Sequence, residues 1–456
     1  MTSRRDFVKN SLLGSAGIAI GGLGFPASSY ARIKGANDRI NVAVIGIRQQ
    51  GQAHINSFCS LKDKANVMLT TICDVDENLW PDSVKRISER IGAAPTMQWD
   101  MRKVFDDKEI HAVSFATPNH WHALGTIWAL QAGKHVYIEK PCSHNIWEGR
   151  KMIEAAAKYK RRVQVGFQNR SIANVRQAMK FLHDGGIGKI YLARGLCYKA
   201  RNSFGISPDS DPPKGLHYDM WLGPAAYRPY NEKKGHYNWH WHWDTGNGDT
   251  GNQGPHQFDI ARWGLNKNEH PVSVFSTGGL YGIDPKECSQ ETPNTQTSIF
   301  KYADGTILEF ETRGLYTNGE GTLGVTIGNL FYGTEGYLEL EGSSWKAFRY
   351  REKTPFAGSS DQVQEPVDPT RMAPPGGSNH YANFIDAVRS GNDEDLRCHI
   401  TEGFLSTVLP LLANISYRTK RELQFDGKTE KFKNDKEADA LLTRVYRKPY
   451  VINDIV

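Results

Sequence analysis

The sequence predicts an α/β protein. An N-terminal doubly wound parallel sheet is followed by an α+β region with a large, mostly antiparallel open sheet. Three observations carry this reading. From Arg39 to about Gly166, short β-rich runs alternate with helical stretches, the pattern of βαβ units. The first run ends in a turn that opens a helix, Gly46-Ile47-Arg48-Gln49-Gln50-Gly51. Beyond Ile190, strand-like runs follow one another with few helices between them.

The bulk numbers agree. A chain of 456 residues suits two or three cores rather than one. Hydrophobic content of 39%, charged content of 23% and a mean hydropathy of −0.54 fit a soluble globular protein. The net charge of +6 is spread along the chain, and no basic block with interleaved aromatics points to nucleic acid. The six cysteines form no C-x-x-C and no disulfide framework. Cys73 and Cys197 lie in apolar runs, where a thiol acts as a small hydrophobe.

At the N-terminus, Ser3-Arg4-Arg5-Asp6-Phe7 precedes an apolar, Gly-rich run and a small-residue site at Ser29-Tyr30-Ala31. This reads as an export signal over residues 1–31. The paired arginines before Phe7 match the twin-arginine type, with an ordinary secretory signal or uncleaved anchor as the alternative. A periplasmic location is the expectation, with no stable membrane anchoring once the signal is cleaved.

The elements then follow in order. Strands are expected at Ile40–Ile45, Val67–Cys73, Ala112–Ala116, His135–Ile138 and Arg162–Gly166. Helices are expected at Gln52–Leu61, Glu77–Ile91, His120–Gln131 and Trp147–Tyr159. This makes 38–168 one domain. A helix over Asn174–His183 opens a second domain, 169–430, with strands at Ile190–Tyr198, Val272–Tyr281, Thr295–Tyr302, Thr306–Thr312, Thr322–Tyr332 and Gly336–Glu341. Ala200 to Gly254 is long, aromatic-rich and poorly periodic, which suits a functional loop. Ser343–Gly377 reads as a polar surface excursion, His380–Arg389 and Glu402–Ser416 as helices, and 431–456 as a tail.

Chemistry concentrates where strands end, the edge at which open α/β sheets bind ligands. Val136-Tyr137-Ile138-Glu139-Lys140-Pro141 presents a lysine there, because proline cannot continue a ladder and restricts the residue before it. A solvated salt-bridge lysine is the alternative. The turn Gly46 to Gly51 matches the first and third glycines of the dinucleotide fingerprint, and Arg48 replaces the second. Asp74 closes the second strand, placed to accept ribose hydroxyls, which favours NAD. Arg48 could instead pair with a 2′-phosphate, so NADP stays open.

The ordered set VIGIRQQG, CDVD, ATPNHWH, GKHVYIEKP and VGFQNR resembles the Gfo/Idh/MocA family of oxidoreductases, which includes glucose–fructose oxidoreductase and inositol dehydrogenase. The resemblance runs from about Arg39 to the C-terminus. It implies a Rossmann domain holding a nicotinamide dinucleotide, with Gly46, Ile47, Arg48, Gln49, Gly51, Asp74, Thr117, Pro118, Asn119, His122, Glu139, Lys140 and Gln168 around it. It implies a substrate domain whose open sheet often carries the contact of a homo-oligomer, a dimer or tetramer.

Trp239-His240-Trp241-His242-Trp243-Asp244 alternates rings with hydrogen-bonding groups, which suits a sugar or glycoside. A metal on His236, His240 and His242, or plain packing, are the competing readings, and no metal site is expected. In the family a D-x-x-x-H stretch supplies an acid and a histidine; here Asn252 takes the acid's place and His256 keeps the histidine's. Lys140 and His256 are thus the implied proton-transfer pair, and Arg170, His240, Trp241, Asp244, Asn252 and Asp259 the implied substrate contacts. Asp259 orients His256 or caps its helix.

An exported enzyme has no soluble NAD(H) pool to exchange with, so the cofactor is expected to be tightly bound and recycled. The leading reading is a sugar or polyol oxidoreductase. A redox-assisted glycosidase acting through transient C3 oxidation is the alternative, though such relatives typically lack the lysine of E-K-P. A non-catalytic sugar-binding protein is the third.

Overall fold

Ile40 to Ile45 is apolar at nearly every position, so a strand there needs cover on both faces. In the computed structural model, which describes residues 38–359 and 379–456, Val42, Ala43 and Val44 are fully buried. This strand, β1 (Ile40–Ile45), sits at the centre of a six-stranded sheet. Around it lie α1 (Gln50–Ser60), β2 (Val67–Cys73), α2 (Trp80–Ile91), β3 (Thr96–Gln98), α3 (Met101–Asp106), β4 (Ala112–Phe115), α4 (Asn119–Gln131), β5 (His135–Ile138), α5 (Ile146–Tyr159) and β6 (Val163–Val165). The order is β3-β2-β1-β4-β5-β6 with every pairing parallel. That is the Rossmann order, and it gathers all the strand ends on one edge.

The sequence reading missed β3 and α3. The expected helix from Glu77 divides into a 3₁₀ turn, Glu77–Leu79, and α2.

After α6 (Ala173–His183) come β7 (Ile190–Tyr198), α7 (Gly254–Gly264), β8 (Ser273–Gly279), β9 (Thr295–Lys301), β10 (Ile307–Arg313), β11 (Ile327–Gly333), β12 (Tyr337–Glu341), β13 (Ser344–Phe348) and β14 (Ala357–Gly358). Then α8 (His380–Ser390), α9 (Ile400–Thr419), β15 (Leu423–Asp426) and β16 (Lys431–Phe432) follow. Ten strands form one sheet, β14-β13-β12-β11-β7-β10-β9-β8-β15-β16, in which only β7 and β10 pair in parallel. β10 alternates as a half-covered strand should: Leu308, Phe310 and Thr312 are buried, while Glu309 and Glu311 face outward. Phe258 of α7 packs on Phe310 at 4.3 Å between ring centroids. Each such fully buried phenylalanine contributes roughly 1.5–3 kcal/mol.

Two expectations are corrected here. Ser343 does not begin a surface excursion: β12 turns into β13, whose Trp345, Ala347 and Phe348 are buried, and β14 follows. Residues 431–456 are no loose tail either. Tyr450, Ile452 and Val456 are buried, and Lys158 Nζ donates to the Val456 carbonyl. The six cysteines are all free and buried. Among the described residues no helix is long and apolar enough to cross a membrane. The residues read as a twin-arginine signal lie outside the described residues.

Candidate active site

The turn after β1 can form only with glycine at its ends. Gly46 has φ +81°, and a Cβ there would stand 2.7 Å from the Ala116 carbonyl oxygen. A Cβ on Gly51 would stand 2.0 Å from the Gly46 carbonyl oxygen. The chain therefore hugs the β1–β4 edge and opens a cleft of 540 Å³ above it. Gly46, Arg48, Gln49, Asp74, Thr117, Pro118, Asn119, His122, Glu139, Lys140, His240 and Asn252 line it.

Lys140 follows Glu139 just beyond the end of β5. Its Nζ donates to the Asn252 carbonyl at 2.8 Å and approaches Asn252 Oδ1 at 3.5 Å. Burial lowers its pKa, against the pull of Glu139 and Asp249. Among the described residues no carboxylate forms an ion pair with the ammonium, which neutral oxygens of Asn252 hold instead.

Glu139 is a hub behind the lysine. It accepts from Gln168 Nε2 at 2.7 Å and from Gln50 Nε2 at 3.1 Å, and His54 Nε2 lies 3.1 Å away. Burial opposes its charge, but the hydrogen bond and field of His54 hold the carboxyl at about 2. Gln168 thus braces Glu139 and is not part of the cleft lining. Ile47 and Gly51 also sit behind the wall, where the Ile47 amide donates to Asp74 Oδ2 at 2.8 Å. None of these three, expected around the cofactor, lines the cleft.

The far wall is a 3₁₀ helix, His236–Trp241. Three residues per turn bring His236 and Trp239, and beside them Tyr237 and His240, onto the cleft. Trp239 and His240 stack at 3.5 Å. Trp241 faces the other way and is buried under the Arg201 guanidinium, and Asp244 is exposed beside a second, smaller cavity. Neither lines the cleft, contrary to expectation. His236, His240 and His242 turn to separate partners: Asp76 at 3.6 Å, the Tyr237 carbonyl at 2.6 Å and Glu291 at 3.3 Å. Among the described residues no group of three or more His, Cys, Asp or Glu side chains is placed to hold a metal.

Arg170 and Asp259 are corrected most sharply. They form a buried ion pair at 2.8 Å, shared with Ser406, away from the cleft. Asp259 lies mid-helix in α7, so it caps nothing, and its oxygens are taken, so it does not orient His256. His256 stands just outside the cleft lining. Its Nδ1 is buried without a partner, and burial, then the Lys140 charge, lowers its pKa to about 4. It is therefore a neutral imidazole at physiological pH.

The sequence reading named Trp239 only as part of the aromatic run and missed Tyr237 and the Arg201–Asp249 pair, whose Nη2–Oδ1 distance is 2.7 Å. Tyr237 Oη lies 3.3 Å from Arg201 Nη1 and 3.5 Å from Asn252 Nδ2, so it ties that pair to the residue holding Lys140. The aromatic alternation was the available signal.

A dinucleotide fits this cleft. Thr117 Oγ1 and Asn119 Nδ2 are buried at the strand edge with no protein partner, and the glycine turn lets a ligand approach the backbone closely.

Comparison with known proteins agrees. Residues 40–167 match the NAD-binding Rossmann domain of the Gfo/Idh/MocA oxidoreductases, and residues 202–331 and 360–452 match their C-terminal α/β domain. The chain belongs to the Gfo/Idh/MocA family. Among curated relatives, a levoglucosan dehydrogenase of Pseudarthrobacter phenanthrenivorans is 30% identical over 161 residues, 34% of this chain and 40% of that protein. A glycosyl hydrolase family 109 protein of Shewanella pealeana is 26% identical over 170 residues, 34% of this chain and 37% of that protein. The matches thus span less than half of either relative's length. A solved levoglucosan dehydrogenase, in complex with NADH and levoglucosan, shares the fold of this Gfo/Idh/MocA chain. Its TM-score is 0.63 at 19% identity, covering 85% of this chain and 99% of that one.

Proposed function

We propose that the chain is an NAD-dependent oxidoreductase acting on a sugar or polyol hydroxyl, with a dinucleotide that stays bound and is recycled. Lys140, held in the cleft by the neutral oxygens of Asn252, is the observation that carries this reading. The bound nicotinamide supplies hydride acceptance and return. Neutral Lys140 takes the hydroxyl proton and gives it back in the reverse direction. His256, neutral above about pH 4, is a second acceptor beside it. Trp239 and Tyr237 offer flat faces for sugar C–H groups. The experiment that tests this is whether the purified protein carries a dinucleotide that a sugar or polyol reduces.

Retention has structural support. His217 N donates to the Val75 carbonyl at 2.8 Å, Glu77 N to the Gly215 carbonyl at 2.9 Å, and His217 stacks on Trp99 at 4.1 Å. The loop before the 3₁₀ helix is thereby stitched over the adenosine end of the strand edge. The Arg4-Arg5 start supports export of the loaded, folded protein to the periplasm, with no membrane anchoring afterwards. Phe275 and Ile299, cross-strand neighbours left 42% and 41% exposed, support a homo-oligomer through the open sheet.

The pH dependence follows from Asn252. In Asn252→Asp a carboxylate replaces the amide beside Lys140 and stabilises the ammonium, so the lysine pKa rises. The neutral base then forms only at higher pH. The rising limb of the kcat–pH profile for hydroxyl oxidation moves up by about one unit or more. An unmoved limb would show that Lys140 is not the titrating base.

The family 109 relatives favour a second reading, a glycosidase that oxidises transiently and reduces back. It predicts glycoside cleavage with no added acceptor and no net change in the dinucleotide.

A further inference from the structure

Arg48 occupies the middle glycine's place in the fingerprint turn, and a guanidinium there could hold a 2′-phosphate. The structure engages it otherwise. Arg48 Nη2 lies 3.2 Å from Asp76 Oδ2, a carboxylate only 6% exposed. The other oxygen of Asp76 accepts from Asn78 N at 3.2 Å and Asn78 Nδ2 at 2.9 Å, which fixes the carboxylate's orientation. Asp76 N in turn donates to Asp74 Oδ1 at 2.9 Å, so the two acids form one unit at the end of β2. His236 of the 3₁₀ helix faces the same Asp76 oxygen at 3.6 Å.

We propose that Asp76 is the residue that makes this site choose NAD over NADP, by occupying Arg48. The proposal rests on the dinucleotide reading above. Asp74 alone would leave the corner with one carboxylate against one mobile guanidinium, a balance that a 2′-phosphate could win by recruiting Arg48. Asp76 consumes that guanidinium and adds a second negative charge. A 2′-phosphate entering the corner meets two carboxylates, and it can recruit Arg48 only in competition with Asp76.

The test is a double-mutant cycle read by equilibrium binding of NAD and NADP to dinucleotide-stripped protein, without turnover. Asn at 76 keeps the side-chain oxygen that Asn78 uses, so Asp76→Asn preserves the turn. Asp76→Asn narrows the NAD/NADP preference by about tenfold or more, the scale of one charge-assisted contact. Adding Arg48→Ala to that variant restores the preference. Arg48→Ala in the wild type leaves it within about twofold, because Asp76 already holds the guanidinium. An unchanged preference in Asp76→Asn overturns the proposal, as does a wild-type Arg48→Ala that loses NADP binding selectively. Protein that binds neither dinucleotide overturns the functional reading itself, and this inference with it. Asp76→Ala with a matched melting temperature serves if Asp76→Asn folds poorly, and the same ratio decides.

Discussion

Lys140→Ala lowers turnover by roughly 10²–10⁴-fold while dinucleotide affinity stays near the wild-type value, as expected for loss of a positioned base. Among the described residues the lysine is the one cleft amine, and neutral acceptors hold it: Asn252 offers a carbonyl at 2.8 Å and an amide oxygen at 3.5 Å. Burial then works against the ammonium. Glu139 cannot replace it, because its carboxyl is held at about 2 and its oxygens accept from surrounding side chains. His256 can, which sets the residual rate. Parallel steady-state kinetics and dinucleotide titration check this. Near-wild-type turnover in Lys140→Ala would remove the lysine from the chemistry.

Arg170→Met destabilises the fold by about 3–5 kcal/mol, the cost of leaving a buried carboxylate without its partner. Asp259 accepts from Arg170 Nε at 2.8 Å, Arg170 Nη2 at 2.8 Å and Ser406 Oγ at 2.6 Å. Arg262 continues the network, with Nε 2.9 Å from Ser406 Oγ and Nη2 2.6 Å from Glu402. The cluster joins the end of the Rossmann region to α7 and α9. Burial opposes the Asp259 charge, but the Arg170 field overrides it and holds the carboxyl below its ordinary value of 3.8. The sign follows: the contribution is complete above that value and is lost as pH falls through the lowered folded pKa. Denaturant melts of Arg170→Met and of Arg170→Met/Asp259→Leu check this, the double variant regaining much of the loss. Unchanged stability with weakened substrate binding would restore Arg170 to the substrate site.

These two residues show where sequence reading stops. Arg170 and Asp259 are 89 positions apart, and nothing local tells a side chain committed to its partner from one offered to a ligand. Lys140 was legible because a β-rich run, a lysine and a proline together fix a strand end. The glycine turn was legible because its backbone excludes other residues. Strands rich in β-formers, such as Ile40–Ile45, Val67–Cys73 and Ile190–Tyr198, were readable to the residue. β3 was not, since it is three residues long, largely exposed, and held only by pairing with β2. Nor was β13, whose Ser344 and Lys346 look like surface until pairing with β12 buries Trp345 and Ala347. The aromatic run from Trp239 to Trp243 signalled a site but not its face. A six-residue 3₁₀ helix sends Trp239 in and Trp241 out.

In the proposed reaction this cleft holds a dinucleotide that takes hydride from a sugar or polyol. The direct measurement is to purify the protein, release and identify its dinucleotide by mass spectrometry, and follow nicotinamide absorbance of the intact protein as sugars and polyols are added. About one NAD per cleft is expected, with rapid reduction by at least one sugar or polyol that slows by roughly 10²–10⁴-fold in Lys140→Ala. Protein that retains no dinucleotide, takes none up, or carries one that no sugar or polyol reduces would contradict it.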